Sequence, residues 1–289
     1  MIGGIDLGGT KIESRLFDRG GAPRGEALRL PTPRDYPSLL DALAGQVRAL
    51  DDRAGMRVPV GLAAPGVVAP GTGRLFAANL AATDRPLGAD LAARAGRPVP
   101  VVNDGMAFAL SEARGGAAAD ARVALGLVIG TGLGGGVTVD GRLPPRHAGY
   151  GVEIGHAGLP GRALLRHSLD LRPCGCGRLG CAEAYLSGPG LAALAGGGLP
   201  PGAAVPDAAL DIWADLAAET LQAPVLVLDP AVIVLGGGVS LIPGLIDRLG
   251  AALDRHRLGG APAPALAPAR FGATSGARGA ALLAGDASC

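Results

Sequence analysis

The sequence predicts an α/β protein made of two domains that face each other across a cleft. The first observation is an apolar strand, a glycine turn and a second strand at residues 2–17, a unit that recurs at residues 124–139. The second is that each unit is followed by alternating helices and strands. A Gly/Ala-rich stretch at 115–120 reads as a loop. We therefore expect one domain over residues 1–117 and a larger one over residues 118–274.

The individual elements follow from the spacing of apolar residues and from turn residues between them. In the helix of the first half, Leu39, Leu43, Val47 and Leu50 share one face, and Ser38 is the expected cap. The first half is predicted to have strands at 2–6, 11–17, 27–30, 58–62 and 99–102, and helices at 39–50, 87–95 and 108–114. The second half is predicted to have strands at 124–129, 137–139, 232–235 and 265–271, helices at 208–221, 245–253 and 278–283, and loops at 188–206 and 259–268.

Composition and charge exclude several classes of protein. The formal net charge is +1 and there is no basic run, which argues against nucleic acid as a partner. No apolar stretch reaches membrane-spanning length, and the N-terminus opens on a strand rather than on a signal segment, so a soluble, cytoplasmic protein with no membrane partner is expected. Glycine supplies 50 of 289 residues, so a glycine-rich motif needs structural context before it counts as evidence.

Three of the four cysteines lie close together and predict a metal site. Cys174, Cys176 and Cys181 fall within eight residues, and His156 lies eighteen positions before Cys174. Three thiolates and one imidazole complete the tetrahedral shell of a structural Zn²⁺. The alternative is a group of buried or redox cysteines, which the spacing does not favour. If His156 gives one ring nitrogen to zinc, the other can bind a polar group, with Glu153 one turn away.

Glycine turns at strand ends predict a phosphate-binding cleft. Backbone N–H groups in such turns can approach phosphate oxygens closely. The two turns occupy matching places in the two halves, so they would hold a polyphosphate from both sides, and a third glycine run would border the base and sugar of a nucleotide. The candidate cofactor-binding residues are Asp6, Gly8, Gly9, Thr10 and Lys11, then Gly130, Thr131, Gly132 and Gly134, then Gly236, Gly237 and Gly238. The patterns match neither a Walker loop nor a dinucleotide fold.

Asn103 and Asp104 form the best candidate for acid–base chemistry. They follow an apolar strand, at the edge where α/β domains place reacting groups. Asp104 is equally well explained as a helix cap, and the two interpretations remain open. Asn79, Glu153 and Glu183 add polar groups that suit a polyhydroxylated ligand such as a sugar.

These motifs together resemble the ROK family of sugar kinases and repressors, over nearly the whole chain. The motifs that carry the resemblance are Asp6-Leu-Gly-Gly-Thr10, Gly130-Thr-Gly-Leu-Gly-Gly-Gly136, Glu153-Ile-Gly-His156 and Cys174-Gly-Cys-Gly-Arg-Leu-Gly-Cys-Ala-Glu183. Within the family the chain looks most like the bacterial N-acetylglucosamine kinases, through Ala78-Asn-Leu80, Phe108-Ala-Leu-Ser-Glu112, Ala184-Tyr-Leu-Ser-Gly188 and Leu235-Gly-Gly-Gly-Val-Ser240.

The resemblance implies two actin-like, ribonuclease-H-like ATPase domains around a central cleft that binds ATP and Mg²⁺. The last helix, at about 275–289, would pack on the first domain, and the protein would be a homodimer. Asp104 would be the general base that accepts the proton of a sugar hydroxyl. The implied sugar-binding residues are Gly66, near the N-acetyl group, and Asn79, Asn103, Asp104, Glu153, His156 and Glu183. Gly105 departs from the family pattern, where a slightly larger residue is expected, and this could loosen the helix of the base.

The favoured function is ATP-dependent phosphorylation of N-acetylglucosamine at O6. A glucokinase or fructokinase of the same family is the alternative, because these enzymes share the catalytic and zinc residues. A sugar-responsive regulator would need a DNA-binding helix-turn-helix, and the first phosphate strand begins at Ile2. A sugar-binding protein without catalysis is disfavoured because Asp6, Asp104 and both turns are present.

Overall fold

The computed structural model describes residues 1–77, 80–197 and 204–287. In the first half, apolar strands alternate with amphipathic helices. The elements are β1 (Ile2–Leu7), β2 (Lys11–Phe17), β3 (Pro23–Pro31), α1 (Tyr36–Ala54), β4 (Val60–Ala64), β5 (Val67–Val68), β6 (Leu75–Phe76), α2 (Leu87–Ala95), β7 (Val101–Asn103) and α3 (Asp104–Ala113). The five longer strands form one sheet in the order β3-β2-β1-β4-β7, and β5 pairs with β6 in a separate ribbon.

The second half repeats the plan with longer helices. Its elements are β8 (Val123–Ile129), β9 (Leu133–Val139), α4 (Gly161–Arg166), α5 (Glu183–Leu186), α6 (Gly188–Leu194), α7 (Asp207–Leu228), β10 (Val232–Gly236), α8 (Leu245–His256), β11 (Ala265–Pro268) and α9 (Ser275–Asp286). Short 3₁₀ turns lie at Ile154–His156, Val239–Leu241 and Gly272–Thr274. The four strands form a sheet in the order β11-β10-β8-β9.

The two sheets share one topology. In the first sheet, β1 and β2 form an antiparallel hairpin and β4 lies parallel to β1 on its other side. In the second sheet, β8 and β9 form the hairpin and β10 lies parallel to β8. The recurrence seen in the sequence is therefore a structural repeat. It brings the carboxyl ends of β1, β4, β8 and β10 toward the same region of the molecule.

Helices α3 and α9 lie between the sheets and contact each other. Helix α9 packs on β1 and β4, whereas α3 packs on β8 and β9. The last helix therefore returns to the first sheet. The second sheet has its own core around the fully buried Trp213, whose indole N–H donates to the carbonyl oxygen of Leu186 over 2.8 Å.

Several element boundaries differ from the sequence expectations. Strand β4 begins at Val60 rather than 58, and β7 at Val101 rather than 99. The cap of α1 is Asp35, whose carboxylate accepts from the backbone N–H of Ser38, so the assignment of Ser38 as the cap was wrong. Part of the predicted 188–206 loop is helix α6.

A helix that spans a bilayer must be both long and apolar. None of the helices in residues 1–77, 80–197 and 204–287 is both long enough and apolar enough to cross a membrane.

Candidate active site and metal centre

Asp104 is the first residue of helix α3, directly after strand β7. The cap of this helix is Asn103, whose side-chain oxygen accepts from the backbone N–H of Met106 over 3.0 Å. Asp104 accepts only from the adjacent backbone N–H of Gly105, over 2.8 Å, among the hydrogen bonds of the described residues. The capping role thus belongs to Asn103. The Asp104 carboxylate keeps acceptor capacity for another partner.

Two cavities meet at Asp104. The first, the Gly236 cavity, has a volume of about 370 Å³. The second, the Glu153 cavity, has a volume of about 270 Å³. Asp104 and Val128 line both cavities. A carboxylate that opens into two adjoining cavities can contact a group held in each of them.

The Glu153 cavity gathers most of the predicted sugar-binding residues. Its polar lining consists of Asn103, Asp104, Thr131, Glu153, His156 and Glu183. Gly66 and the turn that includes Gly130, Gly132 and Gly134 complete the wall. Glu183 is oriented by the backbone N–H of Leu133, which donates to its carboxylate over 2.9 Å. Asn79, also a predicted sugar ligand, lies outside the described residues.

Gly66 is fixed on the wall of this cavity by its own backbone. Its carbonyl oxygen accepts from the Asn103 side-chain nitrogen over 2.9 Å. Its φ of 93° lies in the left-handed region that favours glycine. A Cβ at this position would stand 2.0 Å from the carbonyl oxygen of Phe76. Both the conformation and the close packing therefore require glycine here.

The Gly236 cavity combines glycines with carboxylates and small residues. Gly236 ends β10, and Gly237, Gly238, Ser240 and Leu241 follow it. Pro268 ends β11, Ala269, Gly272 and Ala273 follow it, and Ser275 and Gly276 begin α9. The sequence interpretation named only the three glycines of the first segment. It missed the second segment, whose small residues carry no chemical signature. Only their position after a strand end could have indicated them.

The first glycine turn lies elsewhere. Gly8 to Lys11 connect β1 and β2, and the backbone N–H of Gly8 donates to the carbonyl oxygen of Lys11 over 2.9 Å. Gly9, Thr10 and Lys11 are exposed, and the four residues lie outside the linings of both cavities. The second turn, at Gly130, lines the Glu153 cavity instead of the Gly236 cavity.

The electrostatics of the cleft are dominated by unneutralised carboxylates. Burial, together with repulsion from Asp104 and Glu13, raises the pKa of Asp6 to about 7, although Lys11 partly opposes this. Desolvation by the surrounding protein raises the pKa of Asp104 above its ordinary value, although the side chain opens into the cleft. Repulsion from Glu153 adds to this effect, and the Gly105 N–H opposes it. Such a site favours a bound cation.

Close packing against β9 explains why residue 105 is a glycine. A Cβ on this residue would lie 2.6 Å from the carbonyl oxygen of Gly135 and 2.8 Å from its Cα. Because these contacts are with backbone atoms, a larger residue would push α3 away from β9. Gly105 therefore permits a close contact between the helix of Asp104 and the second sheet.

The histidine and the three cysteines converge on one point. The ligand atoms of His156, Cys174, Cys176 and Cys181 all lie within 4.8 Å of one another. The Sγ atoms of Cys176 and Cys181 are 3.6 Å apart, and Cys174 Sγ is 3.7 Å from His156 Nδ1. Tetrahedral ligands held 2.0–2.3 Å from Zn²⁺ stand roughly 3.3–3.8 Å apart. The cluster therefore fits a four-coordinate Zn²⁺.

Two of the thiols differ in acidity. Hydrogen bonds from Arg178, through its backbone and side chain, lower the pKa of the Cys176 thiol to about 6. Burial, together with the neighbouring Cys176 and Cys174, raises the pKa of the Cys181 thiol to about 12. A metal cation would remove this repulsion by stabilising both thiolates.

The chain belongs to the ROK family, whose model matches residues 2–287. A relative from Escherichia coli is 40% identical over 98% of this chain and 99% of its own length, and it is named N-acetyl-D-glucosamine kinase. The same name is given to a second Escherichia coli relative with 39% identity and the same coverage.

Solved structures show the same architecture. A ROK hexokinase from Thermus thermophilus has a TM-score of 0.83 and 34% identity, covering 97% of this chain and 96% of its own. A ROK family glucokinase from Streptomyces griseus, solved with glucose and AMPPNP, has a TM-score of 0.79 and 29% identity, covering 98% of both chains. The fold is therefore the actin-like two-domain ATPase fold, as the family resemblance implied.

Proposed function

We propose that this protein is an ATP-dependent sugar kinase that phosphorylates N-acetylglucosamine at O6. The observation that carries the proposal is the position of Asp104, where the polar Glu153 cavity meets the Gly236 cavity. Phosphoryl transfer requires the acceptor hydroxyl and the γ-phosphate to meet beside a base. The identity of 40% with an N-acetyl-D-glucosamine kinase, over nearly the full length of both chains, supports the choice of acceptor.

The reaction assigns one role to each cavity. The sugar would occupy the Glu153 cavity with O6 beside Asp104, and ATP would occupy the Gly236 cavity. Asp104 accepts the O6 proton as O6 forms a bond to the γ-phosphorus. The bond between the γ-phosphorus and the bridging oxygen breaks, and ADP leaves. The raised pKa of Asp104 favours this proton transfer, because it makes the carboxylate a stronger base than an exposed aspartate.

Sugar binding is assigned to hydrogen-bonding groups on three sides of the Glu153 cavity. Asn103, Glu153 and Glu183 would bind hydroxyl groups, together with Asn79. The Nδ1 atom of His156 faces Cys174, so its Nε2 atom is the one left for a sugar hydroxyl. Gly66 would leave space for the N-acetyl group, because no side chain projects there.

Nucleotide binding is assigned to the glycine runs and to Asp6. Gly236, Gly237 and Gly238 would border the base and ribose. The turn at Gly130-Thr131-Gly132, with Gly134, lines the Glu153 cavity beside Asp104 and would contact the γ-phosphate where the two cavities meet. The turn at Gly8-Gly9-Thr10-Lys11 lies outside both linings and would contact the phosphates from the first domain. Asp6, in a cleft of unneutralised carboxylates, would hold Mg²⁺, which neutralises charge on the transferring phosphate.

The zinc and the domain division complete the proposal. His156, Cys174, Cys176 and Cys181 would bind a structural Zn²⁺ that fixes the loop beside the sugar. The two domains would be residues 1–117 with the C-terminal helix, and residues 118–274. As in the sequence interpretation, we propose a homodimer.

Glucose phosphorylation is the second candidate, favoured by the Streptomyces griseus glucokinase and its bound glucose. The first experiment is to incubate the purified protein with ATP, Mg²⁺ and each sugar, and to identify products by mass spectrometry and ³¹P NMR. We expect N-acetylglucosamine 6-phosphate and equimolar ADP. Absence of any sugar-dependent ADP would reject the kinase function, whereas a phosphate at another hydroxyl would reject O6.

A further inference from the structure

Glu112 is a fully buried carboxylate on the same helix as Asp104. Its relative exposure is 0%, and it lies in the last turn of α3, whereas Asp104 begins that helix. It has no role in the reaction described above. A carboxylate is costly to bury unless its oxygens are hydrogen-bonded. The hydrogen-bond donors of Glu112 therefore indicate which parts of the structure it stabilises.

Glu112 accepts four hydrogen bonds from described residues outside α3. Oε2 accepts from the backbone N–H groups of Ala117 and Arg270, each over 3.0 Å. Oε1 accepts from the backbone N–H of Phe271 over 3.2 Å and from the hydroxyl of Ser275 over 3.0 Å. All four donors are neutral groups on irregular backbone or at the start of α9. Glu112 therefore joins the end of α3 to two separate segments of the chain.

The segments that Glu112 joins have distinct positions in the molecule. Ala117 lies in the connection between the two sheets. Arg270, Phe271 and Ser275 belong to the segment from β11 to α9, of which Ala269, Gly272 and Ser275 line the Gly236 cavity. One end of α3 thus presents Asp104 to this cavity. The other end binds the backbone of Arg270 and Phe271, which lie between the lining residues Ala269 and Gly272.

Two further hydrogen bonds hold this segment: the Ala269 N–H donates to the carbonyl oxygen of Leu235 over 2.9 Å, and the Arg270 guanidinium donates to the carbonyl oxygen of Gly115 over 3.1 Å. Residues 269–274 form only a bend and a 3₁₀ turn, and strand β11 ends at Pro268. The Phe271 ring stacks against the guanidinium of Arg278, at 3.9 Å from its centroid. This contact anchors the side chain, whereas Glu112 binds the backbone.

We propose that Glu112 is a positioning residue. It holds the wall of the Gly236 cavity at residues 269–275 in a fixed position relative to Asp104. The inference rests on the proposed function, because it assigns ATP to the Gly236 cavity. A carboxylate suits the role because it only accepts, and both of its oxygens face donors. In Glu112→Gln, the amide nitrogen must face N–H or O–H donors on one side. The wall then shifts away from α3.

The test compares Glu112→Gln with the matched control Glu219→Gln. Glu219 is also a buried carboxylate, at 2% exposure, but it pairs with Arg162 and Arg166, away from both cavities. Calorimetric titration with ADP and steady-state kinetics are measured at a temperature where all variants are folded. We expect Glu112→Gln to raise the ADP Kd and the KM for ATP by about tenfold or more. The KM for sugar should change less than about threefold, and Glu219→Gln should leave all three constants near wild type.

Three outcomes separate the inference from its premise. A wild-type protein that neither binds ADP nor turns over ATP would reject the proposed function itself. An active wild type with an unchanged ADP Kd in Glu112→Gln, or an equal loss in Glu219→Gln, would overturn the positioning role. If Glu112→Gln does not fold, Glu112→Asp keeps the charge but shortens the side chain, and it should weaken ADP binding by a smaller factor. An unchanged Kd in that variant would also overturn the proposal.

Discussion

The Asn103 side-chain nitrogen donates to the carbonyl oxygen of Gly66 over 2.9 Å, while the oxygen of the same side chain caps helix α3. One amide thus connects the wall of the Glu153 cavity to the helix that begins with Asp104. The sequence interpretation assigned Asn103 to the sugar and left the helix cap to Asp104 as an alternative. The structure gives the cap to Asn103.

Replacing Asn103 by alanine should therefore affect both stability and sugar binding. Loss of a helix cap costs about 0.5–2 kcal/mol of unfolding free energy. Release of Gly66 should also raise the KM for sugar. The control is Asp35→Ala, which removes the cap of α1, an exposed side chain on another helix. Denaturant unfolding should show a stability loss in both variants, larger for Asn103→Ala because that side chain is buried and also bonds Gly66. Kinetics should show a raised KM only for Asn103→Ala. Equal KM values would contradict the account.

Asp104→Asn should abolish most turnover without unfolding the protein. Because Asp104 is not the cap of α3, the substitution leaves the Asn103 hydrogen bond in place. We expect kcat to fall by roughly 10²-fold or more, with ADP and sugar affinities largely retained, because only the proton acceptor is lost. Near-normal turnover would show that Asp104 is not the base. Loss of the thermal unfolding transition would show instead that its role is structural.

Purified protein should contain one zinc per chain. The measurement is elemental analysis together with a colorimetric zinc assay after chelation. Cys176→Ser should reduce metal content and thermal stability, and it should also weaken sugar binding because His156 belongs to the cluster. The matched control is Ser187→Ala, which removes a buried hydroxyl of the cap of α6 and no metal ligand. Metal-free protein that is stable and active would refute the zinc site.

Stability should fall in acid through a network on helix α7. Burial alone would raise the pKa of Asp215, but His256, His167 and Arg166 bind its carboxylate and hold the pKa below its ordinary value of 3.8. Burial alone would also raise the pKa of Glu219, but Arg166 and Arg162 bind its carboxylate and hold the pKa below its ordinary value of 4.5. Both carboxylates are more acidic in the folded state, so their stabilisation is present above these ordinary values and is lost as the pH falls below them.

The measurement is the free energy of unfolding in urea between about pH 3 and pH 6. We expect a steeper decline below about pH 4.5 for wild type than for Asp215→Asn, because the variant has lost one of the groups whose pKa is lowered. The absolute stability of the variant should be lower at neutral pH, since Arg166 loses a partner. Parallel curves for the two proteins would contradict the assignment.

The fold was predictable where the periodicity of apolar residues indicated a buried face. The helix at Leu87–Ala95 and the strand at Lys11–Phe17 have the bounds that the sequence predicted. Helix α3 begins four residues earlier than predicted because its first turn is capped by Asn103 and not marked by apolar periodicity. Strand β9 begins at Leu133, inside a run that the sequence interpretation treated as a turn, because pairing with β8 orders these glycines.

The candidate site was predictable where the chemistry of the side chains is distinctive. The cysteines, His156 and Glu183 could be named because few other roles explain their spacing. The wall at Ala269 to Ser275 could not, because the residues that line the cavity there are small and carry no distinctive chemistry. Glu112 itself appears in the sequence as one acidic residue in the predicted helix at 108–114. Its four donors come from sites that only the tertiary fold brings together.

The central claim is tested most directly by kcat/KM for N-acetylglucosamine, glucose, N-acetylmannosamine and fructose under one set of conditions, with ATP and Mg²⁺ saturating. The proposed hydroxyl ligands would serve several sugars, so we expect the preference to arise at the 2-position of the sugar, near Gly66. A methyl-sized apolar contact discriminates by about 1–3 kcal/mol. We predict that N-acetylglucosamine exceeds glucose by about 10- to 200-fold. A larger kcat/KM for glucose or fructose would contradict the assignment.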